Sequence, residues 1–134
     1  MIQSSEDLEG YLTRLERPFE RLSEGTYVLT MGQGQPLVAL RLEPPVLLVN
    51  VEIGAVPAGA EASRALFQKL LELNASSLMH AAYGLERGRI VLSAALSLET
   101  LDLSELEAAL ADVELALSEH VPALHELGKV PAAR

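Results

Sequence analysis

The chain has 134 residues, 49% of them apolar, and a formal net charge of −9 from 19 acidic and 10 basic side chains. This length and apolar content predict one domain over residues 1–134 with a real core, and exclude an intrinsically disordered chain. The acidity argues against direct nucleic-acid binding, since phosphate affinity comes largely from Lys and Arg. The lack of cysteine excludes disulfides, thiolate metal sites and a cysteine nucleophile. Aromatics are only 4%, with no Trp, so the core must be built from Leu, Val and Ala. Met1 to Gly10 is acidic and has no basic stretch followed by an apolar one, the pattern of an export signal. No apolar run reaches the roughly 18 residues of a spanning helix. A cytoplasmic protein that does not enter a membrane is the expectation.

The first segment has helical spacing from about Ser4 to Leu22. Leu8, Tyr11, Leu12, Leu15, Phe19 and Leu22 share one face. Ser4 or Ser5 caps it, and Glu6, Asp7 and Glu9 sit at the positive end of its dipole. Pro18 should kink this helix or start a separate last turn. Three strands follow, Thr26–Met31, Leu37–Leu42 and Val46–Ile53. They are separated by Gly32-Gln33-Gly34-Gln35 and by Glu43-Pro44-Pro45, where proline cannot continue a ladder. Such short connections predict an antiparallel meander.

A breaker segment from Gly54 to Ala60 leads into a second helix, about Glu61 to Ser76. Strands at Met79–Glu86 and Arg89–Leu98 flank a tight turn at Arg87-Gly88, where Gly88 supplies a positive φ. The last helix begins near Leu103. Asp102 and Glu105 stand in capping-box spacing, Pro122 predicts a bend, and Gly128 a stop before a loose tail from Lys129. The predicted fold is α+β, an antiparallel sheet with helices on one face, in the order α-β-β-β-α-β-β-α.

Strand alternation separates the two faces of that sheet. Leu47, Val49, Val51 and Ile53 turn toward the helices, as do Val38, Leu40 and Leu42, and Ile90, Leu92, Ala94 and Leu96. The other face is mixed. Its apolar members, Leu37, Val46, Leu48 and Val91, are the candidate partner-binding residues, because a contiguous exposed apolar patch marks a partner site. On the second helix, Leu66, Phe67, Leu70, Leu71 and Leu73 cover more than the ~100° stripe needed to pack on one sheet. They are the candidate interface of a homodimer.

Motifs for chemistry are missing. Gly32-Gln33-Gly34 precedes a strand and has no third glycine, so it is a hairpin turn and not a phosphate loop. His120 and His125 are five apart, on different helical faces, and His80 has no acid nearby in sequence, so none is a metal ligand. His125-Glu126 opens like a zincin motif, but Leu127-Gly128-Lys129 brings no second histidine. Asp112 and Glu114, like the other helical acids, have solvated spacing, and nothing local would shift a carboxylate's pKa toward catalysis. Asn74-Ala75-Ser76 matches a glycosylation sequon, without meaning in a chain that is not exported. The chain is therefore read as no enzyme, with no cofactor and no metal.

From Phe67 to Leu124 the pattern is more specific. A Leu-rich helix ends in Leu70-Leu71-Glu72-Leu73-Asn74, and a small-residue strand and a glycine turn follow. Then come a Val91-Leu92-Ser93 strand, the Leu98–Asp102 link and a long acidic helix. This resembles the type III secretion chaperone superfamily, meaning the Tir chaperone (CesT) family and the related YbjN family. The link through Leu103 leans toward YbjN. The resemblance implies a homodimer, formed through the second helix and neighbouring strands, and apolar patches that bind an extended segment of a protein partner. It implies no catalysis. The alternative is a regulatory adaptor of the same fold, docking on a folded partner such as a stress-response or nucleic-acid-handling protein.

Overall fold

A computed structural model describes residues 2–128. Helix α1 spans Ser5–Arg14, capped by Ser4, whose hydroxyl accepts from the Asp7 N–H. It ends well before Leu22. Glu16 takes a left-handed conformation (φ 57°). The Glu16 N–H then reaches the Thr13 carbonyl and the Arg17 N–H the Leu12 carbonyl. This reversal closes a helix whether or not glycine provides it. Pro18 thus neither kinks the helix nor starts another turn. Phe19–Ser23 forms an additional strand, β1. Phe19 still packs against the core, edge-on to Tyr27, while Leu22 is exposed.

Strands β2 (Thr26–Thr30), β3 (Leu37–Glu43) and β4 (Val46–Ala55) form the expected meander. Helix α2 (Ala60–Ser76) crosses to β5 (Ala82–Glu86), which turns back into β6 (Arg89–Ser97). At that turn Arg87 and Gly88 both have positive φ, 51° and 75°, as a two-residue hairpin loop requires. The sheet is antiparallel throughout, in the order β1-β2-β3-β4-β6-β5. The element order is therefore α-β-β-β-β-α-β-β-α, the expected α+β arrangement with one more strand.

Helix α3 (Leu103–Leu115) starts at Asp102, whose carboxylate accepts from the Glu105 N–H at 2.8 Å and the Ser104 hydroxyl at 3.0 Å. These bonds hold the Asp102 carboxyl below its ordinary pKa. The disturbance expected at Pro122 takes the form of a π turn, Ala116–His120, before helix α4 (Val121–Gly128). The Val121 N–H bonds the Ala116 carbonyl, five residues back, and Pro122 has no N–H to offer the next one. The expected loose tail lies outside the described residues.

Leu47, Val49, Val51 and Ile53 are fully buried, with Tyr27, Leu29, Val38, Leu40, Ile90 and Leu92 on the same face. They form one cluster with Leu8 and Leu12 of α1, Leu66, Leu70 and Leu73 of α2, and Leu106, Leu110 and Val113 of α3. The helices thus cover one face of the sheet, and among the described residues no element covers the other.

Candidate partner-binding face

The register arranges the uncovered face in rows. Arg41, Leu48 and Ala95 form one row, Asn50, Ser93 and Ala82 the next, and Glu52, Val91 and Gly84 a third. Leu48 and Val91 are half-buried. Small side chains at Ala82, Gly84, Ser93 and Ala95 lie around them. The result is a groove of about 760 Å³ over β4, β6 and β5. Its apolar ends are two rows apart, roughly 13 Å along a strand. Ion pairs Arg41–Glu43 and Arg89–Glu52 occupy the same face.

The structure brings Leu48 and Val91 together on this groove. It does not bring the other two candidates there. Leu37 lies at the start of β3 and is 54% exposed, whereas Val46 pairs with Glu43 and Ser97 at the opposite end of those strands.

One groove wall is the segment Met79–Ala81, with Met79 87% exposed. This segment was expected to be strand. It stays out of the ladder because its N–H groups bond elsewhere. Asp112 Oδ2 accepts from Met79 at 3.2 Å, from His80 at 2.9 Å and from Ala81 at 2.9 Å. The expectation of a solvated Asp112 is thereby overturned. It is a buried carboxylate satisfied by three backbone donors. Sequence spacing could not reveal this, since the donors lie 31 to 33 residues away.

Two more polar groups fix the same edge of the sheet. The Asn74 carboxamide accepts from the Tyr83 N–H at 2.7 Å and donates to the Tyr83 carbonyl at 3.1 Å. The Tyr83 hydroxyl lies 3.1 Å from His120 Nδ1. Burial lowers the His120 pKa, favouring the neutral ring, and burial raises that of the Tyr83 phenol. Both groups are thus neutral partners in this hydrogen bond. Glu114, also expected to be solvated, is gripped by Arg17. Those hydrogen bonds lower its pKa.

The dimer candidates divide. Leu66, Leu70 and Leu73 are buried within the chain's own core and have no surface for a second copy. Phe67 is half-buried and Leu71 is 68% exposed. Together with Leu85 of β5 they line a small apolar pocket of about 230 Å³.

Among the described residues, no three His, Asp or Glu side chains cluster to hold a metal ion, and no helix is long and apolar enough to cross a membrane. The open sheet face, backed by a single helical layer, can be compared with known proteins. The profile of the CesT_Tir_1 family matches residues 1–130. The chain belongs to this family. The expected likeness to the type III secretion chaperones and to YbjN holds over nearly its whole length. A chain of the ExoU–SpcU heterodimer, from the type III secretion system of Pseudomonas aeruginosa, shares 23% identity at TM-score 0.71, over 89% of this chain and 98% of that one. YbjN, a proposed transcription regulator from E. coli, shares 17% identity at TM-score 0.70, over 99% of each chain. A chain of the HopA1–SchA chaperone–effector complex shares 18% identity at TM-score 0.61, over 89% and 90%. At these identities the likeness is one of fold. No curated protein sequence matches the chain significantly.

Proposed function

We propose that this chain is a non-catalytic, cytoplasmic protein-binding module, one domain throughout, which holds an extended segment of a protein partner on its open sheet face. The observation that carries this reading is the groove between Leu48 and Val91, on a face that no described element covers. An extended segment along β4 and β6 would place two apolar side chains, four residues apart, against Leu48 and Val91, since four residues of strand span roughly 13 Å. The small residues between leave room for its backbone. Two structural relatives were solved in complex with a second protein, the ExoU–SpcU heterodimer and the HopA1–SchA chaperone–effector complex, which supports a protein as occupant. The polar groups whose pKa values are shifted hold the fold together, as Asp102, Glu114, Tyr83 and His120 do, which favours binding over catalysis.

A second copy is expected at Phe67 and Leu71. Leu66, Leu70 and Leu73 support that surface from beneath.

Affinity capture from the source cells with wild-type chain and with Leu48→Glu, read by mass spectrometry, tests the reading. A protein retained by the wild type and lost with Leu48→Glu supports it. Equal retention by both, or none by the wild type, opposes it. A folded partner retained equally by both would favour the adaptor reading.

A further inference from the structure

The edge strand β5 is closed by side chains, and Asn74 is central to that closure. In the β5–β6 hairpin the two-residue turn makes Glu86 and Arg89 a hydrogen-bonded pair. Alternation along an antiparallel ladder then points the backbone groups of Ala82, Gly84 and Glu86 toward β6, and those of Tyr83 and Leu85 outward. Outward groups on an edge strand are a template for another strand. Here the Tyr83 N–H and C=O are both taken by the Asn74 carboxamide, which stands where a neighbouring strand's peptide group would be. The preceding outward N–H, that of Ala81, is taken by Asp112. Only Leu85 is left, and one residue's two hydrogen bonds do not hold a strand.

We propose that Asn74 is a gate on the β5 edge. Clamped on Tyr83, its carboxamide prevents a second copy of this chain from continuing the sheet, so that copies meet here only through Phe67, Leu71 and Leu85. Without it the edge pairs with the same edge of another copy. A second copy is the occupant because β5 against β5 is antiparallel and self-complementary about a two-fold axis. The apolar pocket of Phe67, Leu71 and Leu85 also lies directly beside the strand. In the sequence Asn74 marks only the end of a helical pattern and the start of a sequon. Its role becomes visible when α2 is laid along β5. The inference does not depend on the open face binding a partner.

The test compares wild type with Asn74→Leu, which keeps the volume and suits a helix but forms no hydrogen bond to Tyr83. Hydrogen exchange in dilute solution should be about tenfold faster at the Tyr83 amide, the weight of one lost hydrogen bond, with the amides of β3 and β4 unchanged. In sedimentation at rising concentration the variant should grow beyond the wild-type mass. Unchanged exchange at Tyr83, or faster exchange without any gain in mass, overturns the proposal. If Asn74→Leu does not fold, Asn74→Asp carries the test. Its carboxylate still accepts the Tyr83 N–H, so slow exchange at Tyr83 and wild-type mass are expected, and fast exchange there contradicts the clamp.

Discussion

The Arg17 guanidinium grips the Glu114 carboxylate with two parallel bonds, Nη2 to Oε1 at 3.0 Å and Nη1 to Oε2 at 3.2 Å, across 97 positions of sequence. It ties the reversal after α1 to the last turn of α3. Glu114→Gln should destabilise the fold by about 0.5–1 kcal/mol at neutral pH, the range for a partly exposed pair. The pKa of Glu114 is lowered from 4.5 in the fold. The contribution is therefore present above that ordinary value and lost as pH falls through the lower folded one. Thermal melts of both proteins should differ at pH 7 and converge in acid, as pH falls through the lowered pKa. A difference that persists in acid contradicts the pair's role.

Asp112→Ala removes the acceptor of three N–H groups, of which that of Ala81 is buried. The expected loss is about 2–3 kcal/mol, as for hydrogen bonds to a charged group. Urea midpoints measure it. Exposed Glu107→Ala on the same helix should stay within about 0.5 kcal/mol of wild type. Equal effects would mean that Asp112 does not hold the groove wall.

Burial lowers the pKa of His120 from 6.5, so the unfolded chain binds the proton more readily than the fold does. Stability from this group is present above about pH 6.5 and falls as pH drops through the folded value. His120→Gln keeps a hydrogen-bonding group for the Tyr83 hydroxyl and cannot titrate. Denaturation midpoints of the wild type should fall between pH 7.5 and pH 5.5, and this variant should flatten part of that slope. Parallel slopes would contradict it.

How much of this was legible beforehand depends on how far away each partner lies. The faces of β3, β4 and β6 followed from alternation at Val38 to Leu42, Leu47 to Ile53 and Ile90 to Ala94, since a two-residue period leaves little choice of face. The bounds of α2 and the turn at Gly88 followed from local chemistry. Strand β1 was lost because Phe19 and Leu22 also fit a helical face, and because the reversal at Glu16 uses a residue with no turn signature. Asp112 and Glu114 looked solvated, and Asn74 showed no role at a sheet edge, because their partners come from other elements. The groove was half legible. Leu48 and Val91 stood out as apolar residues on the outer face, whereas Ala82, Gly84, Ser93 and Ala95 matter only through their small size in a register that the sequence does not display.

Light scattering at micromolar concentration should give twice the mass of one chain. Leu71→Glu should give the mass of a single chain with unchanged circular dichroism, because Leu71 is exposed and supports no part of the chain's own core. A single-chain mass for the wild type would contradict a dimer at this surface.

The central claim is that the open sheet face holds the partner, and titration calorimetry of the captured partner into wild type and Leu48→Glu tests it most directly. Leu48 points away from the helices, and burying a leucine against a partner contributes about 1.5–3 kcal/mol. A carboxylate set against an apolar group adds a further penalty. Leu48→Glu should fold, shown by unchanged circular dichroism, and bind at least about tenfold more weakly. Leu47→Glu should unfold the chain, because Leu47 is fully buried. A folded Leu48→Glu that binds with wild-type affinity would contradict the account.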